Sequence, residues 1–223
     1  MSIHRYVLCG AAALLVHLAA GCGAVDFDSF KTDDETDKWL RNTSPMYARM
    51  VKEIKARKNV RGYRFVANDK IRAGMAAWVD GFQEIQLNPK LKGPRRIATL
   101  VFEIANGYRA PEHQGIDLAA DKGLIRTPEE FGLAHEIYEY EALRLQRQVL
   151  IELESRVGRL PKDFFYLVTP PARSAKDYRM PGLYQFLKTQ KKSGHTAHYF
   201  RWFHRRRAER QGPKKSPKRT PDN

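Results

Sequence analysis

Two polar side chains, Glu103 and Asn106, interrupt an otherwise apolar stretch near the middle of the chain, ATLVFEIANGY at residues 98–108. Because they are three residues apart, they would occupy neighbouring positions on one face of a helix. A carboxylate on an apolar helical face must be paired or protonated. Three interpretations of Glu103 follow: a buried carboxylate satisfied by Arg, Tyr or backbone donors, part of a cleft that binds peptide without cutting it, or a general base.

A second pair of carboxylates, Glu139 and Glu141, lies further along the chain. The capping box TPEE starts a predicted long helix over 127–157 that contains both. The two side chains point about 200° apart on a helical wheel, and the sequence does not choose which of them faces Glu103. If one of them does, the two carboxyl groups would have separated pKa values and could perform acid–base chemistry without a metal.

Side chains that bind metals are sparse. The two cysteines, Cys9 and Cys22, both lie within the first 24 residues, so the remainder of the chain has no thiolate and no disulfide. His135 and Glu139 are four residues apart on the predicted helix and could share an ion with His113, but a lone helical histidine is more often solvated or hydrogen-bonded. Three further histidines are interpreted as surface or packing residues: His195, His198 and His204. We predict no metal ligands and no cofactor.

Short strands precede the segment that contains Glu103. Alternating patterns predict strands over 62–67, 75–79 and 82–87, with Asp80-Gly81 as the hairpin turn before the last. This order of a strand, a short loop and a helix with a buried glutamate resembles the active-site region of zincin metallopeptidases. That family carries H-E-x-x-H on the helix, where two histidines bind zinc and the glutamate is the base. Here the five positions read FEIAN, so the frame is similar and both histidines are replaced.

A second motif carries the same resemblance. The segment YEALRLQ is similar to the downstream helix of glutamate-ligand zincins, with Glu139 or Glu141 at the matching place. Over roughly residues 75–150 the chain also resembles a narrower group, bacterial proteins and toxin-associated domains of unknown function described as metallopeptidases. The resemblance implies a zincin-like fold. It also implies four catalytic-site residues: Glu103, Asn106, Glu139 and Glu141. Because phenylalanine offers no donor and an amide is a weak zinc ligand, a tight zinc site is not expected.

The first 24 residues have the pattern of a secretory signal. Their apolar run, 6–20, is short for a bilayer core of about 30 Å. Leu18-Ala-Ala-Gly-Cys22 resembles the lipobox of bacterial lipoproteins, although Leu18 is one place further from the cysteine than usual. We therefore predict lipidation of Cys22 and a membrane-anchored protein on the non-cytoplasmic side of the cell envelope. Ordinary cleavage after Ala24, giving a secreted or periplasmic protein, is the alternative.

Positive charge is concentrated at the C-terminus. The chain has a net charge of +15, and residues 188–223 contain twelve Lys and Arg against Glu209 and Asp222. Residues 212–223 are polar and proline-rich and are predicted to be disordered. In an exported protein such a region favours anionic lipid or cell-wall polymer as a partner, and a solvated region without a partner is an equal alternative. Nucleic acid is favoured only if the protein is cytosolic.

Taken together, the patterns predict one α+β domain: a small antiparallel sheet with a hairpin, packed on long helices around a zincin-like helix–helix core. We assign 1–24 to the signal peptide, 25–43 to a polar tether, 44–187 to the domain and 188–223 to the basic C-terminal region. Within the tether, four large apolar residues are expected to dock onto the domain: Phe27, Phe30, Trp39 and Leu40.

Helical patterns cover 45–57, 183–187 and 198–208 in addition to the long helix, whereas 109–126 is predicted to be a polar loop. The function predicted from these features is an exported, lipid-anchored envelope protein with a degenerate zincin-like domain that has a binding or structural role. The alternative is a peptidase-like hydrolase that uses Glu103 with Glu139 or Glu141, or an unrecognised metal.

Overall fold

The computed structural model describes residues 25–57, 62–71, 76–79, 83–165, 177 and 179–211. The described residues form a mixed α+β structure of seven α-helices and three short strands. The helices are α1 (Asp33–Thr43), α2 (Pro45–Lys55), α3 (Gly93–Tyr108), α4 (Ala110–Asp121), α5 (Pro128–Val157), α6 (Leu183–Ser193) and α7 (His195–Gln211). The strands are β1 (Arg64–Ala67), β2 (Ala76–Val79) and β3 (Glu84–Leu87), and Lys162–Phe165 is a 3₁₀ turn.

The sheet has the order β1-β3-β2 and is mixed. Strands β2 and β3 pair antiparallel, as predicted for the hairpin, and the predicted turn at Asp80-Gly81 lies outside the described residues. The prediction of a purely antiparallel sheet is wrong, because β1 pairs parallel to β3. The reason is that β3 takes the central place: its Ile85 and Leu87 are fully buried, and after two reversals it runs in the same direction as β1.

The main hydrophobic core lies between α2, α3, the C-terminal half of α5 and the sheet. The apolar side chains of α3 and α5 recur at helical spacing and are almost completely buried. Gln146 of α5 links the two helices, because its Nε2 donates a hydrogen bond to the carbonyl oxygen of Ala98 on α3 at 2.8 Å. The side chains that form the centre of the core are Tyr47, Met50, Ile54, Ile97, Leu100, Val101, Ile104, Val149, Leu150 and Leu153.

Two predicted helix starts are confirmed. The hydroxyl of Ser44 caps α2 by accepting from the backbone N–H of Tyr47 at 3.0 Å. Thr127 and Glu130 form the predicted capping box, and α5 then runs without a break to Val157. The helix predicted over 45–57 is two residues shorter, ending at Lys55.

Two segments predicted to be irregular are helical. Residues 33–43, assigned to the polar tether, form α1, which begins with a capping box of Thr32 and Glu35 and packs on α2. The predicted loop over 109–126 contains α4, because Pro111 lies in the first helical turn, where a missing N–H does no harm. Docking of the four large apolar residues is confirmed: Leu40 is fully buried, and Phe27, Phe30 and Trp39 pack against the core.

The basic C-terminal region begins inside the folded structure. Residues 188–211, assigned outside the domain, form the end of α6 and all of α7, which packs along the N-terminal half of α5. Tyr199 and Phe203 of α7 join Phe131 and Ile116 in a second buried cluster. Within the described residues, no helix is both long and apolar enough to cross a bilayer. Residues 1–24 and 212–223, for which we predicted a signal peptide and disorder, lie outside the described residues.

Candidate functional site

A cleft of about 970 Å³ opens between β2 and the helices α3, α4, α5, α6 and α7. All four residues of β2 line one wall. Five polar side chains of the cleft lining lie on three different helices, α3, α5 and α7. They are Glu103, Asn106, Glu139, His195 and Tyr199.

Glu103 is 5% exposed and lies at the contact of α3 with β2. Its Oε2 accepts the backbone N–H of Trp78 at 2.8 Å and the Nδ2 of Asn106 at 3.5 Å. Burial and, second, the carboxylate of Glu139 raise the pKa of Glu103 to about 8, against the opposing effect of these two hydrogen bonds. Near neutral pH, Glu103 is therefore mostly protonated.

A glycine on α3 allows β2 to approach Glu103 this closely. A Cβ at Gly107 would lie 2.5 Å from Cε3 of Trp78, closer than Cβ atoms come to non-bonded neighbours in folded proteins. The indole of Trp78 therefore lies directly against the backbone of α3, and its own backbone N–H reaches the carboxylate one helical turn away. The glycine in FEIANG has a packing function that the motif comparison did not indicate.

Glu139 is 7% exposed, and its Oε1 accepts a hydrogen bond from the hydroxyl of Tyr199 at 2.7 Å. Burial raises the pKa of Glu139, while His195 and the hydrogen bond from Tyr199 act in the opposite direction. Asn106 interacts with both carboxyl groups, since its hydrogen bonds lower the pKa of Glu103 and of Glu139. The structure thus brings Glu103, Asn106 and Glu139 together.

Glu141 does not join them. It lies among the partly exposed residues of α5 and pairs with Arg144, one turn further on, at 3.1 Å. The two candidates on α5 are two residues apart, so their side chains leave the helix in nearly opposite directions. Of the pair that the sequence left open, Glu139 lines the cleft and Glu141 does not. This corrects the prediction of Glu141 as a site residue.

Sequence reasoning missed His195 and Glu136. The Nδ1 of His195 lies 3.0 Å from Oε1 of Glu136, which also accepts from the hydroxyl of Thr196 at 2.9 Å. Burial lowers the pKa of His195, but the hydrogen bond to Glu136 and the nearby carboxylates outweigh burial and raise it. His195 was interpreted as a surface or packing residue, whereas its ring lines the cleft.

A weak signal for His195 was present in the sequence. Gly194 ends α6 in the left-handed conformation, with φ of +84°, and α7 begins at the next residue. On α7, His195 and Tyr199 are four residues apart, and on α5 Glu136 and Glu139 are three apart, so each pair forms one face. These faces of α5 and α7 meet because the two helices pack together, which neither spacing in the sequence indicates.

The histidine group considered for metal binding is a packed cluster. His135 is fully buried, its Nδ1 lies 2.6 Å from Nδ1 of His113, and its ring stacks on Tyr199 and Trp202. Burial, followed by the neighbouring His135, lowers the pKa of His113 to about 3. Glu139, the third residue of that group, accepts a hydrogen bond from the hydroxyl of Tyr199. Across the described ranges, no group of three or more His, Cys, Asp or Glu is arranged to hold a metal ion.

No family model, curated protein or solved structure matches the chain.

The geometry of the site indicates its chemistry. A carboxyl group with a pKa of about 8 can give or take a proton near neutral pH. A second carboxyl group, an imidazole with a raised pKa and a phenol adjoin it. The arrangement can bind a group that donates hydrogen bonds, and it can transfer a proton.

Proposed function

We propose that the protein is an exported, lipid-anchored envelope protein whose zincin-like domain binds a peptide segment in the cleft without a catalytic zinc. The observation that carries the proposal is that Glu103 and Glu139, matched to the base and the third ligand of the zincin frame, face one cleft. The two positions that hold histidine in that frame are Phe102 and Asn106, which are poor zinc donors.

The wall formed by β2 supports a peptide as the ligand. This strand is at the edge of the sheet, and extended peptides commonly bind by adding to such an edge. Alternate residues of a strand direct their N–H groups to opposite sides, so Ala76 offers its N–H on the same side as Trp78. Opposite β2, Phe102 and Leu143 provide apolar surface for side chains of the peptide.

Anchoring through a lipidated Cys22 would hold this cleft at the membrane surface. The helices α6 and α7 expose several of the basic residues of the C-terminal region, among them Lys188, Lys192 and Arg201. Such residues support anionic lipid or cell-wall polymer as an additional partner, each contributing about 1 kcal/mol near an anionic surface. Nucleic acid is disfavoured as a partner if the protein is exported.

The metal and protease tests address the cleft. The purified protein should contain no stoichiometric zinc, and it should leave a casein substrate intact with and without chelator. An inactive protein that retains a casein-derived peptide would support binding without cleavage. One zinc per chain together with chelator-sensitive cleavage would overturn the proposal.

Export and anchoring need a separate test. A reporter fused to residues 1–30 should leave the cytoplasm and fractionate with membranes, and Cys22→Ser should release it from the membrane. A reporter that stays in the cytoplasm would contradict export and would make nucleic acid the better partner for the basic region.

A metal-independent hydrolase is the second candidate. The raised pKa of Glu103, which the neighbouring Glu139 helps to produce, favours it, because one of the two groups could act as acid and the other as base. Chelator-resistant cleavage of casein that disappears in both Glu103→Gln and Glu139→Gln, but not in Glu141→Gln, would establish it. Cleavage that survives the first two substitutions would exclude it.

A further inference from the structure

The interior end of the cleft is rich in acceptors. Glu103 and Glu139 line it, and Glu136 lies behind the lining, bonded to His195; the three carboxyl groups are each at most 7% exposed. Among the described residues, no Lys or Arg lies within ion-pairing distance of Glu103 or Glu139. Their hydrogen-bond donors are one backbone N–H, one amide and one phenol, and the cationic group that acts on them is the imidazole of His195 when it is protonated. This is unusual in a chain with a net charge of +15.

Three buried oxygens in or next to the cleft lining have no hydrogen-bond partner in the described structure. They are Oδ1 of Asn106, which lies beside both carboxyl groups, Oδ1 of Asp117 on the α4 wall, and Oε2 of Glu136, a side chain behind the lining that bonds to His195. Leaving a buried acceptor unpaired costs free energy, which a ligand that donates a hydrogen bond to it recovers. The unpaired oxygens are a second sign, independent of the charges, that the missing group is a donor.

We propose that the peptide bound in this cleft carries a lysine or arginine side chain, whose cationic head binds between Glu103 and Glu139. The proposal rests on the proposed function, since it names the class of ligand that the cleft takes. An ammonium group has three donors, and Glu103, Glu139 and Oδ1 of Asn106 provide three acceptors. A guanidinium offers five donors to the same oxygens.

The walls fit the rest of such a side chain. The rings of Trp78 and Tyr199 line the cleft beside the carboxyl groups, and aromatic faces attract cations within about 6 Å. Phe102 and Leu143 provide apolar surface for the methylene stem, which long basic side chains pack against such surfaces. A metal ion would make no use of these walls.

Binding of a cation should be linked to proton release. The pKa of Glu103 is about 8, so below this pH the group must lose its proton before it can pair with the cation. Affinity should therefore rise with pH, by roughly eightfold between pH 6.5 and 7.5 for one proton released. His195 acts in the same direction, because it loses its own positive charge as the pH rises. Other titratable or charged groups facing this region are Glu136, Glu139, Tyr199, His113, Asp117, His198 and Arg205.

The experiment is calorimetric titration of the full chain with four blocked pentapeptides that have alanine at the outer positions and Lys, Arg, Nε-acetyl-lysine or Glu in the middle. We expect the Lys and Arg peptides to bind at least tenfold more tightly than the other two. Their affinity should rise from pH 6.5 to 7.5, with proton uptake by the buffer. Zinc and calcium chlorides, added before the Lys peptide, should not compete with it.

Variants locate the site. Glu139→Gln should weaken the Lys peptide at least tenfold, Glu103→Gln should reduce the dependence on pH to the part that His195 contributes, and Glu141→Gln should leave both unchanged. Equal binding of all four peptides would overturn this inference and leave the proposed function intact. Absence of binding by any peptide would overturn both. Because the comparison of peptides uses the unaltered chain, the test holds even if a variant fails to fold.

Discussion

The two halves of α5 bury different kinds of side chain. Its C-terminal half contributes Val149, Leu150 and Leu153 to the main core, each at most 1% exposed. Its N-terminal half buries His135 and Glu136 to the same extent, together with the nearby Glu139. From its N-terminus to its C-terminus, one continuous helix therefore changes from a largely polar to a largely apolar buried face.

The two kinds of buried side chain on α5 have different effects on the stability of the fold. Burial of apolar side chains stabilises the fold by roughly 25 cal/mol per Å², without directional partners. Burial of carboxyl and imidazole groups costs free energy unless each finds a partner, and on α5 these partners come from α4 and α7. We infer that the C-terminal half of α5 holds the fold together, and that the N-terminal half is retained for the cleft.

The largest expected effect is in the apolar half. Leu150→Ala removes a side chain that is 1% exposed and should lower the free energy of unfolding by about 2–5 kcal/mol, measured by urea denaturation. Leu133→Ala, in the other half of the same helix, removes a side chain that is 47% exposed and should change it by less than about 1 kcal/mol. Equal losses would contradict the division of α5.

The next largest effect is the dependence of stability on pH that Glu103 should produce. The pKa of Glu103 is about 8 in the folded protein, above its value of 4.5 when unfolded, so between these pH values the folded state binds more protons. Raising the pH should therefore lower stability, by at most about 1.4 kcal/mol per pH unit, and this loss should level off above pH 8. Glu103→Gln does not titrate and should be the more stable protein at pH 8. An unchanged pH profile in this variant would show that the carboxyl group is paired or ionised when folded.

Two glycines provide a matched test of the contact between α3 and β2. Gly107→Ala places a methyl group against the ring of Trp78, and overpacking of about 1–3 kcal/mol should exceed the gain of about 1 kcal/mol in helix propensity. Gly115→Ala on α4 meets no atom within 4 Å and should stabilise the protein by up to about 1 kcal/mol. Thermal unfolding of the two variants should therefore shift in opposite directions, and a stabilised Gly107→Ala would refute the close approach of β2.

The smallest effect belongs to Glu141. Its ion pair with Arg144 is partly exposed, so Glu141→Gln should change stability by less than about 1 kcal/mol, whereas Glu139→Gln should alter the titration of Glu103. The pKa of Glu103, followed by carbon-13 NMR of its carboxyl group, should fall in the second variant and stay near 8 in the first. The reverse result would show that Glu141 is the carboxylate in the cleft.

Local signals in the sequence predicted those parts of the fold that depend on neighbouring residues. Caps at Ser44 and Thr127 and a hairpin between β2 and β3 were all read from short patterns and are confirmed. The capping box of Thr32 and Glu35 is an equally local signal, although it lies in an acidic stretch that is also typical of a polar tether. The parallel pairing of β1 with β3 has no local signal, because it depends on which strand is most apolar.

The candidate site divides in the same way. Glu103 and Asn106 share a helical face by spacing alone, and a pair of candidates on α5 could be named for the same reason. The choice of Glu139 over Glu141, and the addition of His195, depend on contacts between residues about sixty positions apart, such as that of Tyr199 with Glu139. Periodicity carries no information on such contacts, since it describes one helix at a time.

The position of Trp78 has a consequence for future measurements. Its indole lies on Gly107, and its backbone N–H donates to the carboxyl group of Glu103, so the fluorophore is joined directly to the group expected to ionise near pH 8. Of the three tryptophans in the chain, Trp39 lies away from this region, against Phe27 and Phe30. Trp202 lines the same cleft as Trp78. Intrinsic emission should therefore register the ionisation and the occupancy of the cleft without any added dye.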